Sequence, residues 1–271
     1  MSERQPQVLD IEQIIKAKAG KNAKYIPRFV INWFKKFMHL DFINTYLKEG
    51  YMGVEFCENC VKYLNVNIEI EGLENLPKAG RKFPFVSNHP LGAIDGVTMG
   101  WILGKEYDGN IKYLMNELLM NLKGMAPLGI PVNKLGGQSR NLPRLIDDLF
   151  MSDAQVLMFP SGKCSRIIDG KIQDPPWGKA FITKSIKSGR DVVPIHFIGR
   201  NSDRFYSLDK WTKRLGIKLN LPMLTLPSEM YRSQGSTYRV IIGKPISYET
   251  FDKSKTHTEW AEEIRRKVYE L

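Results

Sequence analysis

The stretch Phe85-Val86-Ser87-Asn88-His89-Pro90-Leu91-Gly92-Ala93-Ile94-Asp95-Gly96 decides how this chain folds. Phe83 to Ser87 is a short apolar run that reads as a buried strand, Pro90 and Gly92 turn the chain, and Asp95 opens a helical segment reaching Leu103. The same alternation continues on both sides. Further strands are predicted at Val66 to Glu71, Ile111 to Met115, Ile130 to Asn133, Gln155 to Phe159, Asp191 to Ile198 and Tyr238 to Ile242. Further helices are predicted at Asn141 to Met151, Lys179 to Lys187 and Thr258 to Glu270. Strands interleaved with helices in this way imply an α/β domain built on a largely parallel mixed sheet flanked by helices. Its functional residues then belong at strand ends and in the loops that follow them.

Upstream of this region the pattern is helical. Ile26, Phe29, Val30, Trp33, Phe34, Phe37 and Met38 recur at helical spacing with Arg28, Lys35 and Lys36 between them, so Ile26 to Phe42 reads as a basic amphipathic helix. Lys18, Lys21 and Lys24 add to its charge. Such a helix either lies in a membrane interface or packs on the core. A second helical stretch spans Asp41 to Leu64, which divides the chain into a helical, membrane-associating extension over 1–64 and an α/β domain over 65–271. Trp211 to Gly235 follows neither period cleanly and reads as a surface flap or a second membrane-facing element.

With 271 residues, 42% of them hydrophobic, the chain is long enough to bury a sizeable core. Forty Lys and Arg against 29 Asp and Glu leave a formal charge of +11, so a partner should carry negative charge. No zinc-finger spacing or RNP-like aromatic motif accompanies that charge, so an anionic membrane surface or a phosphate is expected in preference to nucleic acid. The longest apolar runs fall short of the roughly 18 residues that a membrane-crossing helix needs. The start of the chain lacks the pattern of a secretory signal, and three cysteines make no disulfide framework. A cytoplasmic protein, peripheral on the inner face of the cell membrane, is the expectation. Cys57-Glu58-Asn59-Cys60 has no second pair at zinc spacing, so no metal is expected.

Chemistry concentrates at His89 and Asp95. Transfer of an acyl group to a hydroxyl needs a base, which an imidazole supplies near neutral pH, and a carboxylate on its other nitrogen would fix the tautomer and stabilise the imidazolium. On the residues alone, a hydrogen-bonded structural histidine remains the alternative. Gly162-Lys163 does not complete a P-loop, and no Gly-x-Ser-x-Gly elbow activates Ser161 or Ser87 as a hydrolase nucleophile. His196 sits in an apolar strand and reads as a core residue.

The His89 to Asp95 stretch resembles the histidine-aspartate signature of the glycerolipid acyltransferase superfamily, which includes the lysophosphatidic acid acyltransferases. Three further segments are similar to family blocks and fall in the family's order. The first is Lys112 to Glu117 with Pro127-Leu128-Gly129 and Ile130 to Lys134; the second is Val156-Leu157-Met158-Phe159-Pro160-Ser161-Gly162-Lys163-Cys164-Ser165-Arg166; the third is Val192-Val193-Pro194-Ile195. This chain departs from the family pattern in placing five residues between His89 and Asp95, one more than usual, and in carrying Ser161 where Glu is usual. Together with Asp174-Pro175-Pro176-Trp177 and Gly199-Arg200-Asn201-Ser202, these departures resemble a bacterial hemolysin-like branch linked to amino-acid-containing lipids.

The resemblance implies an O-acyltransferase that needs no cofactor. Its donor would be an acyl carrier protein or coenzyme A thioester, and its acceptor the hydroxyl of an N-(3-hydroxyacyl) amino acid such as glycine or ornithine. Acylation of 1-acylglycerol-3-phosphate is the alternative, with lipid hydrolysis or non-catalytic membrane binding further off. His89 would be the base and Asp95 its partner. The substrate would be held by Asn133, Lys134, Phe159, Pro160, Ser161, Gly162, Lys163, Ser165 and Arg166, with Lys134, Lys163 and Arg166 on the acceptor's anionic group. The backbone N–H groups of Ser161 and Gly162, with Lys163, would meet the developing oxyanion.

Overall fold

The computed structural model describes residues 4–12, 26–78, 80–116, 119, 121–132, 142–217 and 220–271. In chain order the helices and strands are α1 (Arg28–Phe37), α2 (Leu40–Leu47), α3 (Gly53–Tyr63), β1 (Asn67–Glu71), β2 (Pro84–Ser87), α4 (Ile94–Glu106), β3 (Ile111–Asn116), β4 (Gly129–Val132), α5 (Leu142–Met151) and β5 (Gln155–Met158). They continue with β6 (Arg166–Ile168), β7 (Lys171–Gln173), α6 (Ala180–Ser188), β8 (Val193–Ile198), α7 (Asp203–Arg214), α8 (Leu221–Leu224), α9 (Leu226–Arg232), β9 (Thr237–Ile242) and α10 (His257–Glu270).

Seven strands form one sheet in the order β1-β9-β8-β2-β5-β3-β4. Strands β8, β2, β5, β3 and β4 are mutually parallel, and β9, paired antiparallel to β8, carries β1 parallel to itself at the edge. The sheet is thus parallel and mixed, as the sequence pattern predicts. Every residue of β2 and β5 is buried, because helices cover both faces of a parallel sheet, whereas edge strand β1 alternates exposed and half-buried positions. Successive residues of β2 feed opposite cores. Phe85 packs into a cluster with Leu47, Phe56, Val61, Met99 and Leu103 from α2, α3 and α4, and Val86 into one with Phe150, Phe181, Ile182, Trp260 and Ile264 from α5, α6 and α10. From β2 the chain crosses to β3 and β4, returns as β5 beside β2, and then passes to β8 on the other side of β2. That reversal makes the carboxyl ends of β2, β5 and β8 the switch point of the sheet, where α/β proteins place their ligands.

The helical stretches expected over Ile26 to Phe42 and Asp41 to Leu64 are partitioned differently. His39 adopts a left-handed backbone (φ 50°) between α1 and α2 with its ring stacked on Tyr231 at 3.7 Å, which ends the first helix early. Gly50 (φ 72°) separates α2 from α3, and a β-carbon there would lie 2.7 Å from the Pro6 nitrogen, so only glycine fits. Helices α2 and α3 share the buried cluster of the sheet, whereas α1 buries none of its residues. Trp211 to Gly235 is helical over most of its described length, with Pro222 and Pro227 in the first turns of α8 and α9. The β6–β7 hairpin was not expected, although Ile167-Ile168-Asp169-Gly170-Lys171-Ile172 carries its signal. Asp169 (φ 50°) and Gly170 (φ 76°) form its two-residue turn.

Candidate active site

His89 lies two residues beyond the end of β2, at this switch point. Asn88 before it extends the strand pairing with a side chain, accepting the Phe197 N–H at 2.7 Å and donating to the Phe197 carbonyl at 2.9 Å. Gly92 (φ 80°) then turns the chain tightly enough that an added β-carbon would meet the Cys164 sulfur at 2.3 Å. Asn201 steadies the outside of the turn by donating to the Pro90 carbonyl at 3.1 Å.

This turn delivers Asp95, in the first turn of α4, to His89. The Asp95 Oδ2 atom lies 3.0 Å from His89 Nδ1 and accepts the Leu91 and Gly92 N–H groups at 3.0 and 3.1 Å; its Oδ1 accepts the Gly96 N–H at 2.9 Å. The extra residue in the His-to-Asp spacing is therefore absorbed by the glycine turn. Burial by itself would raise the Asp95 pKa, but the adjacent imidazole and the converging hydrogen bonds outweigh it and hold the carboxyl below its ordinary range. A carboxylate with no proton can only accept, so Nδ1 carries the hydrogen, and in the neutral imidazole the lone pair is then on Nε2. The imidazole is 17% exposed while Asp95 is fully buried, so one ring edge is accessible and the other is locked.

Phe159, just past β5, stacks on the His89 ring with centroids 4.1 Å apart. The loop that follows has Ser161 partly exposed and Gly162 and Lys163 exposed. The Gly162 N–H donates to the Phe159 carbonyl at 2.9 Å, closing a turn, which removes it from the expected oxyanion donors and leaves the Ser161 N–H from this loop. The Ser161 hydroxyl donates to the Lys163 carbonyl at 2.7 Å, and the Pro160 carbonyl accepts the Gly178 N–H at 3.0 Å.

Ser165 is buried, and its N–H donates to the His89 carbonyl at 2.8 Å. Arg166 departs from expectation. Its guanidinium is buried, pairs with Asp209 at 2.9 Å, caps the Cys164 and Ser165 carbonyls and lies over the Phe205 ring. With a further bond to Asn220 Oδ1 at 3.3 Å, all three of its nitrogens are engaged within the protein, so it supports the loop and is not presented to an acceptor. Asn133 and Lys134 lie outside the described residues, as do Glu117, Lys18, Lys21 and Lys24.

Asp174 was singled out only as part of a motif, and the structure puts it under the site. Its fully buried carboxylate accepts the His89 N–H at 3.2 Å, the Ser165 hydroxyl at 2.6 Å and the Trp177 indole N–H at 3.0 Å. The signal available in the sequence was an acidic residue immediately before two prolines, after a predicted strand and loop. His196 in β8 has a half-buried ring against Tyr269 at 5.3 Å, and burial lowers its pKa. Cys57 and Cys60 are buried free thiols in the core beneath α4, and burial pushes the Cys60 thiol up to about 12.

Residues 13–271 match the model of a family described as Acyltransferase. The chain belongs to this acyltransferase family. It is 53% identical over 266 residues to the lyso-glycine lipid O-acyltransferase of Phocaeicola vulgatus, covering 97% of this chain and 95% of that protein. It is 51% identical to the lyso-glycine lipid O-acyltransferase of Bacteroides thetaiotaomicron, covering 97% of each. Its fold is similar to the crystal structure of the 1-acyl-sn-glycerophosphate acyltransferase PlsC from Thermotoga maritima, with a TM-score of 0.52 at 20% identity over 80% of this chain and 77% of that one. The protein is accordingly an O-acyltransferase of α/β architecture, and an acyl donor is one of its substrates. Among the described residues no helix is long and apolar enough to cross a membrane.

Proposed function

We propose that the acyltransferase esterifies the hydroxyl of an N-(3-hydroxyacyl)glycine, with His89 as base and an acyl carrier protein or coenzyme A thioester as donor. The observation that carries the base assignment is the 3.0 Å contact of His89 Nδ1 with a carboxylate that accepts three further N–H groups, which orients the free Nε2 outward. The acceptor hydroxyl gives its proton to Nε2, and its oxygen attacks the thioester carbonyl carbon. The tetrahedral oxyanion is met by the Ser161 N–H and the exposed Lys163. Its collapse breaks the carbon–sulfur bond, and the departing thiolate takes the proton back from Nε2. Asp95 stabilises the imidazolium between these steps. No acyl-enzyme is needed, since both substrates are held together.

The acceptor assignment is supported by two relatives named for lyso-glycine lipid, each more than half identical over nearly the whole chain. Its carboxylate would pair with Lys163 and, from the sequence pattern, Lys134. Membrane association is supported by α1, where Phe29 and Trp33 are 74% and 60% exposed beside Arg28 and Lys36, and by exposed Trp211 and Leu215 on and after α7. Arg204 of α7 lies over the Phe37 ring, which holds the two elements together. The inner face of the cell membrane would supply the anionic surface.

The purified protein and its His89→Ala variant, incubated with a palmitoyl thioester and either N-(3-hydroxyacyl)glycine or lysophosphatidic acid, test this by thiol release and product mass. Acylation of the glycine lipid alone, abolished by the variant, is the expected result. Acylation of lysophosphatidic acid alone would overturn the acceptor, and a folded variant with substantial turnover would overturn the base.

A further inference from the structure

The main chain of His89 is gripped at both of its polar atoms by the two ends of one small hairpin. Ser165, the residue before β6, donates its N–H to the His89 carbonyl at 2.8 Å, and Asp174, the residue after β7, accepts the His89 N–H at 3.2 Å with both carboxylate oxygens. The Ser165 hydroxyl closes the ring by donating to Asp174 Oδ1 at 2.6 Å. Asp174 is itself fixed from the far side of the sheet: its N–H donates to the Tyr269 hydroxyl and its carbonyl accepts from Arg265, each at 2.8 Å, both residues belonging to α10.

We infer that Asp174 is a positioning residue for acyl transfer, holding the peptide of His89 while Asp95 holds its ring. The inference rests on the assignment of His89 as the base.

Three donors converge on this carboxylate, namely the His89 N–H, the Ser165 hydroxyl and the Trp177 indole N–H, and only a group that accepts on both oxygens serves them all. A buried charge is costly to keep, and burial does push the Asp174 carboxyl up from its ordinary range, against the hydrogen bonds that favour its ionised form. In its ionised form the Asp174 carboxyl adds a second negative charge near His89, acting in the same sense as Asp95 when the imidazole takes up the substrate proton. Among the described residues, the other ionisable groups facing this cluster include Asp95 from α4, Cys164 and Arg166 at the start of the hairpin, Tyr238 from β9, and Arg265 and Tyr269 from α10.

The test is Asp174→Asn, which keeps the shape but turns an NH₂ toward one of the three donors and removes the charge. In a variant that melts cooperatively, kcat is expected to fall about 100-fold, the cost of a misplaced reacting group, with KM for the acceptor within about twofold of the parent. The acid limb of the kcat/KM profile is expected to move to lower pH, because a neighbouring carboxylate no longer favours the protonated imidazole. A merely structural anchor would lower the yield of folded protein and leave that limb in place. Parental kcat and an unmoved limb in folded Asp174→Asn overturn the inference. If that variant does not fold, Ser165→Ala decides, since it keeps the charge and removes one strut: a reduced kcat at constant KM upholds the inference, and parental kinetics overturn it. His89→Ala run alongside reads the underlying assignment separately, because turnover in that variant removes the base itself and not only its clamp.

Discussion

Replacing Asp95 by Asn isolates the charge at the centre of the site. Three donors meet Oδ2 and one meets Oδ1, so the amide should settle with its carbonyl toward His89, Leu91 and Gly92 and its NH₂ against the Gly96 N–H. The ring therefore keeps its tautomer and its place, and what is lost is the charge facing the imidazolium. Unit charges about 4 Å apart at an effective dielectric near 20 interact by about 4 kcal/mol. With His89 17% exposed, solvent screens part of this, and about 2–3 kcal/mol remains. That corresponds to a fall in kcat of about 30- to 150-fold, with the acceptor KM little changed. The orphaned Gly96 N–H costs a further ~1–3 kcal/mol of stability, visible as a lower Tm. Steady-state thiol release with saturating donor and a parallel thermal melt measure both. A folded Asn variant with kcat within about threefold of the parent would refute the electrostatic reading of the pair.

The Asp95 carboxyl is held below its ordinary range, so its contribution to stability is complete above the unfolded value of about 3.9 and is lost as pH falls through the native one. Urea midpoints should therefore drop on acidification below about pH 4 more steeply in the parent than in Asp95→Asn. Gly92→Ala should lower stability by about 2–3 kcal/mol, from a left-handed backbone and a β-carbon 2.3 Å from the Cys164 sulfur. Adding Cys164→Ala should recover only the steric part, as thermal melts would show. Arg166→Ala should cost about 2 kcal/mol by leaving the buried Cys164 and Ser165 carbonyls without a donor, Asp209 keeping Lys213 at 2.7 Å, whereas the exposed Lys163→Ala should leave Tm unchanged, raise the acceptor KM and lower kcat. The reverse pattern would return Arg166 to the acceptor.

Much of the architecture is a local property of this chain. Apolar runs such as Phe83 to Ser87 and Gln155 to Phe159, each bounded by turn residues and followed by a helical period, specify a parallel sheet because buried strands need helices on both faces. The prediction of His89 and Asp95 as a pair is local too, since six positions separate them and Gly92 lies between. The Ile168-Asp169-Gly170-Lys171 turn is equally local, an Asp-Gly pair between two short strands. The break at His39 was not legible: a left-handed non-glycine residue is held there by stacking on Tyr231, far along the chain. Arg166 shows the same limit. Its residue type suits an anion, but whether a guanidinium faces a substrate or an internal carboxylate depends on where α7 brings Asp209. The sequence by itself determined the alternation, the turn and the pairing of His89 with Asp95, because these depend on spacing along one chain. Only the tertiary structure decided which charges are already satisfied and which residues hold His89 in place, because Asp174 meets His89, and Tyr269 and Arg265 of α10 meet Asp174, only once distant parts of the chain have packed together.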